Sequence, residues 1–172
     1  MSNIVVTYFE PFGGRTTNAS KEVVSLLKEY RIKELPVSWS KVPDCIDEIL
    51  SNNPDYLFLV GEAGSYKEIT MERTAHNISN GKDNEGVDRD NEPIIDGAQA
   101  ELITKFDLSK LPYRISDNAG KYLCNYSYYL ALTKTKNTKV LFVHLPYIEN
   151  NLDELRNKLL DIINSLTLTK VN

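Results

Sequence analysis

Residues 140–146 read VLFVHLP: four apolar side chains, a histidine, and a proline two residues later. A run this short, rich in β-branched and aromatic residues and closed by a breaker, reads as a strand buried on both faces, as in parallel sheets. Ile4–Tyr8 (IVVTY) and Tyr56–Val60 (YLFLV) repeat the pattern. Between and after these runs the periodicity becomes helical, over Ser20–Tyr30, Val42–Leu50, roughly Ala98–Phe106 and Leu123–Leu132. From Leu152 to Leu166, Leu152, Leu155, Leu159, Ile162, Ile163 and Leu166 recur at three- and four-residue spacing, which predicts a last amphipathic helix.

Strands alternating with helices predict an α/β domain. The 172 residues are too few for an eight-fold barrel of about 250. The expected fold is a three-layer α/β/α sandwich with an open, mostly parallel, mixed and twisted sheet, forming one domain over residues 1–172. Tyr113–Ser116 reads as a further strand. Ile69–Asn77 alternates, with Ile69, Met71, Arg73 and Ala75 on one face and Thr70, Glu72, Thr74 and His76 on the other, and is expected to be a longer strand, antiparallel to the rest. Asn80–Pro93 (NGKDNEGVDRDNEP) is polar and turn-rich, an exposed excursion.

Hydrophobic residues make up 41% and charged residues 26% of the chain, a globular composition and not a disordered one. Its net charge of −4 and lack of any basic block argue against nucleic-acid binding. The apolar stretch Ile4–Val6 is too short for a secretion signal or a membrane span, so a cytoplasmic protein without membrane partners is expected. Cys45 and Cys124 are the only cysteines and there are two histidines, none at metal-ligand spacing. Gly13-Gly14 and Gly61-x-x-Gly64 form neither a Walker loop nor a dinucleotide fingerprint. No metal and no cofactor are expected.

Ligands gather at the carboxyl ends of the strands in such folds, so residues there carry the search for chemistry. Cys124 follows an Ala-Gly turn and opens a helical pattern (SDNAGKYLCNYSYYLAL, 116–132). A thiol at a helix start is favoured as thiolate, although free cysteines commonly serve only to pack. His144 stands where a strand stops and suits a general base better than His76, which lies on the alternating segment. Glu72, beside Arg73, could orient an imidazole, or simply pair with Arg73.

Five segments extend this reading: YFEPFGGRTTNAS (8–20), GEAGSYKEITMER (61–73), DNEG (83–86), AGKYLCN (119–125) and FVHLP (142–146). Together, and in this order, they resemble the pyroglutamyl peptidase I family, the pyrrolidone-carboxylate peptidases. The resemblance covers nearly the whole chain. It implies an α/β/α sandwich and a Glu72, Cys124, His144 triad that removes an N-terminal pyroglutamyl residue through a thioester. It implies further that the backbone N–H of Cys124, with Arg73 as a second candidate, stabilises the oxyanion, and that Phe9, Phe12, Tyr122, Leu123 and Glu62 form the substrate slot. Partners would be peptides or small amides with an N-terminal pyroglutamate, and the assembly a dimer or tetramer.

The chain departs from the family at Glu62, where many members carry glutamine, and at Tyr66, where arginine is commoner. Before DNEG, Gly81 and Lys82 stand where an Ile-Pro is usual, after a two-residue shortening. These departures bear on the slot and leave two alternatives open: a hydrolase of the same fold acting on another small cyclic amide or acyl compound, and a catalytically silent binding module.

Overall fold

A computed structural model describes residues 1–168; the last four residues of the expected 1–172 domain lie outside the described residues. In chain order the elements are β1 (Ile4–Phe9), α1 (Ala19–Val24), β2 (Arg31–Leu35), α2 (Val42–Ser51), β3 (Tyr56–Glu62), β4 (Thr70–Glu72) and β5 (Thr74–His76). They continue with β6 (Ser79–Lys82), β7 (Asp88–Glu92), β8 (Glu101–Ile103), β9 (Arg114–Ser116), α3 (Leu123–Lys134), β10 (Lys139–Leu145) and α4 (Leu152–Thr167).

The main sheet has the order β2-β1-β3-β10-β4-β9. The first four strands run parallel, β4 is antiparallel to β10, and β9 is parallel to β4. This is the mixed, mostly parallel sheet expected, covered on both faces. On one face α1 and α4 pack through Val23, Val24, Leu155, Leu159 and Ile163 onto Val6, Phe58, Leu141 and Met71. On the other, α2 and α3 pack through Ile46, Ile49, Leu123 and Leu130 onto Val5, Leu57, Leu59 and Phe142. Residues 125–131 of α3 are buried all round the helix, so α3 is a central element, wedged between the sheet and α2. No helix among the described residues is long and apolar enough to cross a membrane.

Three sequence expectations are corrected. The helix expected over Ala98–Phe106 is absent: Glu101–Ile103 pair antiparallel with Thr74–His76. Thr104 locks that chain in place, its N–H donating to the Arg73 carbonyl and its hydroxyl to the Val140 carbonyl, so cross-chain pairing overrides local propensity. The helix expected to reach Tyr30 stops at Val24, where tight bonds from Leu26 to Val23 and Leu27 to Val24 turn buried Leu27 into the core. That leaves Arg31 free to start β2, an edge strand whose charged sequence RIKEL hides it from a hydrophobicity reading. The alternating strand Ile69–Asn77 is broken at Arg73, whose N–H donates to Ser116 outside either ladder. As a result Met71 and Ala75, expected on one face, belong to opposite cores. Asn80–Pro93 is exposed as expected, but it is an ordered hairpin of β6 and β7.

Several conspicuous motif residues turn out to be joints. Asp83 accepts N–H groups from Trp39 at 2.9 Å and from Glu85 and Val87, tying the hairpin to the start of α2. Glu10 accepts the Val37 N–H, and Asn18 caps α1 through Ser20. Asn125 is fully buried; it accepts the His76 N–H and donates to the His76 and Ile78 carbonyls at 2.8–2.9 Å. Asn125→Ala strands all three backbone groups and is expected to lower unfolding stability by about 3 kcal/mol. Urea denaturation checks this, and a loss below about 1 kcal/mol would show that α3 does not depend on that joint.

Candidate active site

His144 and Glu72 are brought together by strand register. Phe142 pairs with Glu72 and His144 with Thr70, so His144 and Glu72 are diagonal neighbours on the same face of an antiparallel pair. Their side chains meet at 2.8 Å, Nδ1 to Oε1, and both residues are buried. A carboxylate accepts, so this bond asks for a proton on Nδ1 and leaves Nε2 facing the other way. Phe142 packs against the imidazole with ring centres 4.7 Å apart, and Tyr66 meets it edge-on at 5.6 Å.

Tyr66 does more than pack. Its hydroxyl lies 3.0 Å from Glu72 Oε1 and 3.1 Å from the Asn118 carbonyl, while the Arg114 guanidinium stacks 4.5 Å over its ring. Oε1 therefore takes both the imidazole and the phenol, and buried Oε2 has no partner among the described residues.

Cys124 is the second residue of α3, after Tyr122 at the cap. Among the described residues its N–H donates to no backbone carbonyl, one of the free donors of a helix start. The sulfur lies against Gly61: a Cβ added there would stand 2.8 Å from Sγ and 2.8 Å from the Phe142 ring. Gly61 is the strand neighbour of His144 in the β3–β10 ladder. The absence of a side chain on Gly61 thus makes room for the thiol beside the strand that carries the imidazole. Sγ and Nε2 do not form a hydrogen bond in this state.

Both residues line a cleft of about 440 Å³ at the carboxyl ends of β3 and β10, with Phe12, Glu62, Tyr66, Ala119, Tyr122 and Tyr147 among its walls. A larger hollow of about 890 Å³ lies at the opposite ends of those strands, beside Tyr56 and Lys139, and holds no paired acid and base. Among the described residues no cluster of three His, Cys, Asp or Glu side chains could hold a metal.

The helix start does not make the resting thiol acidic. Burial, reinforced by the charges of Glu72 and Glu62, pushes the Cys124 thiol up to about 12. Desolvation thus opposes the thiolate that the helix start was expected to favour.

The other expected residues divide. Phe12, Tyr122 and Glu62 line the cleft, whereas Phe9 and Leu123 are buried in the core beneath it. Arg73 is absent from the walls: its exposed guanidinium is held by Asp117 at 2.7 Å through Nε, with a second bond from Nη2. Asp117, kept down at about 2 by hydrogen bonds from Arg73 and then Thr74, leaves Arg73 committed away from any oxyanion. His76 also serves this loop, its Nε2 2.7 Å from the Asp117 carbonyl oxygen. Arg15 and Tyr147 escaped the sequence reading. Arg15 pairs with Glu62 and stacks 4.5 Å over the Tyr147 ring, a contact between positions 47 residues apart that no local pattern signals.

Comparison with known proteins follows the same lines. The family model for pyroglutamyl peptidase matches residues 2–170. The chain is 38% identical to the pyrrolidone-carboxylate peptidase of Fusobacterium nucleatum subsp. nucleatum, covering 86% of this chain and 79% of that protein. It is 36% identical to that of Thermococcus kodakarensis, covering 89% and 85%. Among solved structures, pyroglutamyl peptidase I from Bacillus amyloliquefaciens superposes with a TM-score of 0.90 at 25% identity, covering 98% of this chain and 96% of that one. Pyrrolidone carboxyl peptidase from Thermus thermophilus gives 0.82 at 28%, covering 91% and 97%.

The thiol environment has a direct readout. Iodoacetamide labelling of Cys124 in the resting protein, followed by mass spectrometry, is expected to keep accelerating to about pH 10, because the reactive thiolate is still being formed there. A plateau reached below about pH 7 would instead reveal a preformed thiolate.

Proposed function

The chain belongs to the pyroglutamyl peptidase family, and from that premise we propose that it is a cysteine peptidase that cleaves the amide bond after an N-terminal pyroglutamyl residue, acting in the cytoplasm as a single domain over residues 1–172. The observation that carries this reading is the buried Glu72–His144 pair, 2.8 Å long, opening onto the cleft that Cys124 also lines.

The lactam enters the slot beside Phe12, Tyr122 and Glu62, an apolar wall with a few polar anchors suited to an uncharged ring. Cys124 Sγ attacks the carbonyl carbon of the scissile amide while its proton passes to His144 Nε2. Because burial disfavours the free thiolate, proton transfer to the imidazole accompanies the attack in this scheme. Glu72 holds Nδ1–H and stabilises the imidazolium that forms. The free N–H of Cys124 faces the developing oxyanion. The C–N bond breaks as Nε2–H protonates the leaving amine, giving a pyroglutamyl thioester. Nε2 then takes a proton from water, whose oxygen attacks the thioester and releases pyroglutamate and the thiol.

Tyr66 is a positioning residue in this scheme, fixing the carboxylate that fixes the imidazole. Release of a fluorescent amine from a pyroglutamyl amide tests both statements. Cys124→Ala is expected to lose at least about 10³-fold in kcat, and retention of the wild-type rate would rule out the mechanism. Tyr66→Phe removes one donor from Oε1 and is expected to lower kcat about fivefold with KM within about twofold. A change confined to KM would assign Tyr66 to substrate binding.

A further inference from the structure

Glu62 poses a chemical problem for the proposed substrate. A lactam offers one N–H donor and one C=O acceptor, so its slot needs one acceptor and one donor. A glutamine amide has both, whereas a carboxylate can only accept. A lone carboxylate, with its side chain 2% exposed, would also set an unbalanced charge against an uncharged ring.

The structure holds the missing half in Arg15. One Nη of Arg15 donates to Glu62 Oε1, and the Ala19 N–H donates to Oε2 at 2.7 Å. The guanidinium lies flat, 4.5 Å over the ring of Tyr147, a cleft wall residue. That ring rests in turn on Gly64, where a Cβ would overlap it. Arg15 is thereby held against two walls of the cleft, Glu62 and Tyr147, with its side chain 38% exposed, and beyond Glu62 its guanidinium makes no hydrogen bond among the described residues. Opposite charges cancel within the pair, and the fixed fork keeps donors to spare.

Resting on the peptidase reading, we infer that Arg15 and Glu62 act as one recognition unit, in which Glu62 accepts the lactam N–H and Arg15 donates to the lactam carbonyl oxygen. Arg15 is then a specificity-determining residue of this chain, required because position 62 is a carboxylate. The ligand class is a small ring amide with adjacent N–H and C=O.

The test is a double-mutant cycle on the full chain, reading KM for a fluorogenic pyroglutamyl amide and the affinity of 2-pyrrolidone by calorimetry, which needs no turnover. Arg15→Ala is expected to raise KM and weaken 2-pyrrolidone binding about tenfold or more, since a buried acceptor loses its complementary donor. Arg15→Met, which keeps a stem over Tyr147 but has no donor, is expected to do the same. In a Glu62→Gln background the Arg15→Ala effect should shrink to about twofold or less, because the amide supplies its own donor. Wild-type KM and affinity in Arg15→Met would overturn the inference. So would an equal loss with and without the Glu62→Gln substitution, which would make Arg15 a packing residue. A wild type that cleaves no pyroglutamyl amide defeats the peptidase reading instead, and the pair is then judged on 2-pyrrolidone affinity alone.

Discussion

Everything at the cleft depends on the antiparallel register of β4 against β10. With Phe142 opposite Glu72 and His144 opposite Thr70, a carboxylate and an imidazole 72 residues apart become diagonal neighbours on one face. A slip of one residue would turn Glu72 to the other face and leave two buried polar groups without each other, a loss of several kcal/mol for a charged pair. The rest of the parallel sheet defines where strands end. The reversed strand β4, paired directly with β10, decides what faces the histidine.

Holding that register requires more than the ladder. The phenol of Tyr128, a fully buried residue of α3, donates to the Glu72 carbonyl at 2.7 Å, pinning the helix that carries Cys124 to the strand that carries Glu72. Asn125, one residue after Cys124, stitches the same helix to β5 and the chain beyond it. Asp117, with Arg73, Thr74 and His76, braces the loop before the cysteine. Much of what stands out in the motif segments is therefore framework, and only a few side chains face the cleft. Burial and the charges of Glu72 and Glu62 work against ionisation of the Cys124 thiol in the resting state.

The departures at Glu62 and Tyr66 are connected by charge. Tyr66 puts a neutral donor on Glu72 with the Arg114 charge held behind its ring. Arg15 and Glu62 set two opposite charges against each other beside the cleft. Hydrogen-bonding capacity is kept at both places, although formal charge is redistributed.

The apolar runs Ile4–Tyr8, Tyr56–Val60 and Val140–Val143 are self-evident in the sequence because strands buried on both faces must be apolar, and α2, α3 and α4 follow from period and length. Glu72, Cys124 and His144 were legible as candidates because each stands at an element end or inside a distributed motif. Their roles in catalysis remain the proposal argued above. Strands made by pairing alone were not legible: RIKEL in β2 and ELI in β8 carry no pattern of their own, and their ladders are set by partners far along the chain. The break at Arg73, the Arg15–Glu62 pair and the protonated state of Cys124 belong to the same class. Sequence by itself determined which side chains had to be buried and which chemical groups were present. Tertiary structure alone decided register, ion-pair choice and desolvation, because each depends on distances between residues that only the folded chain brings together.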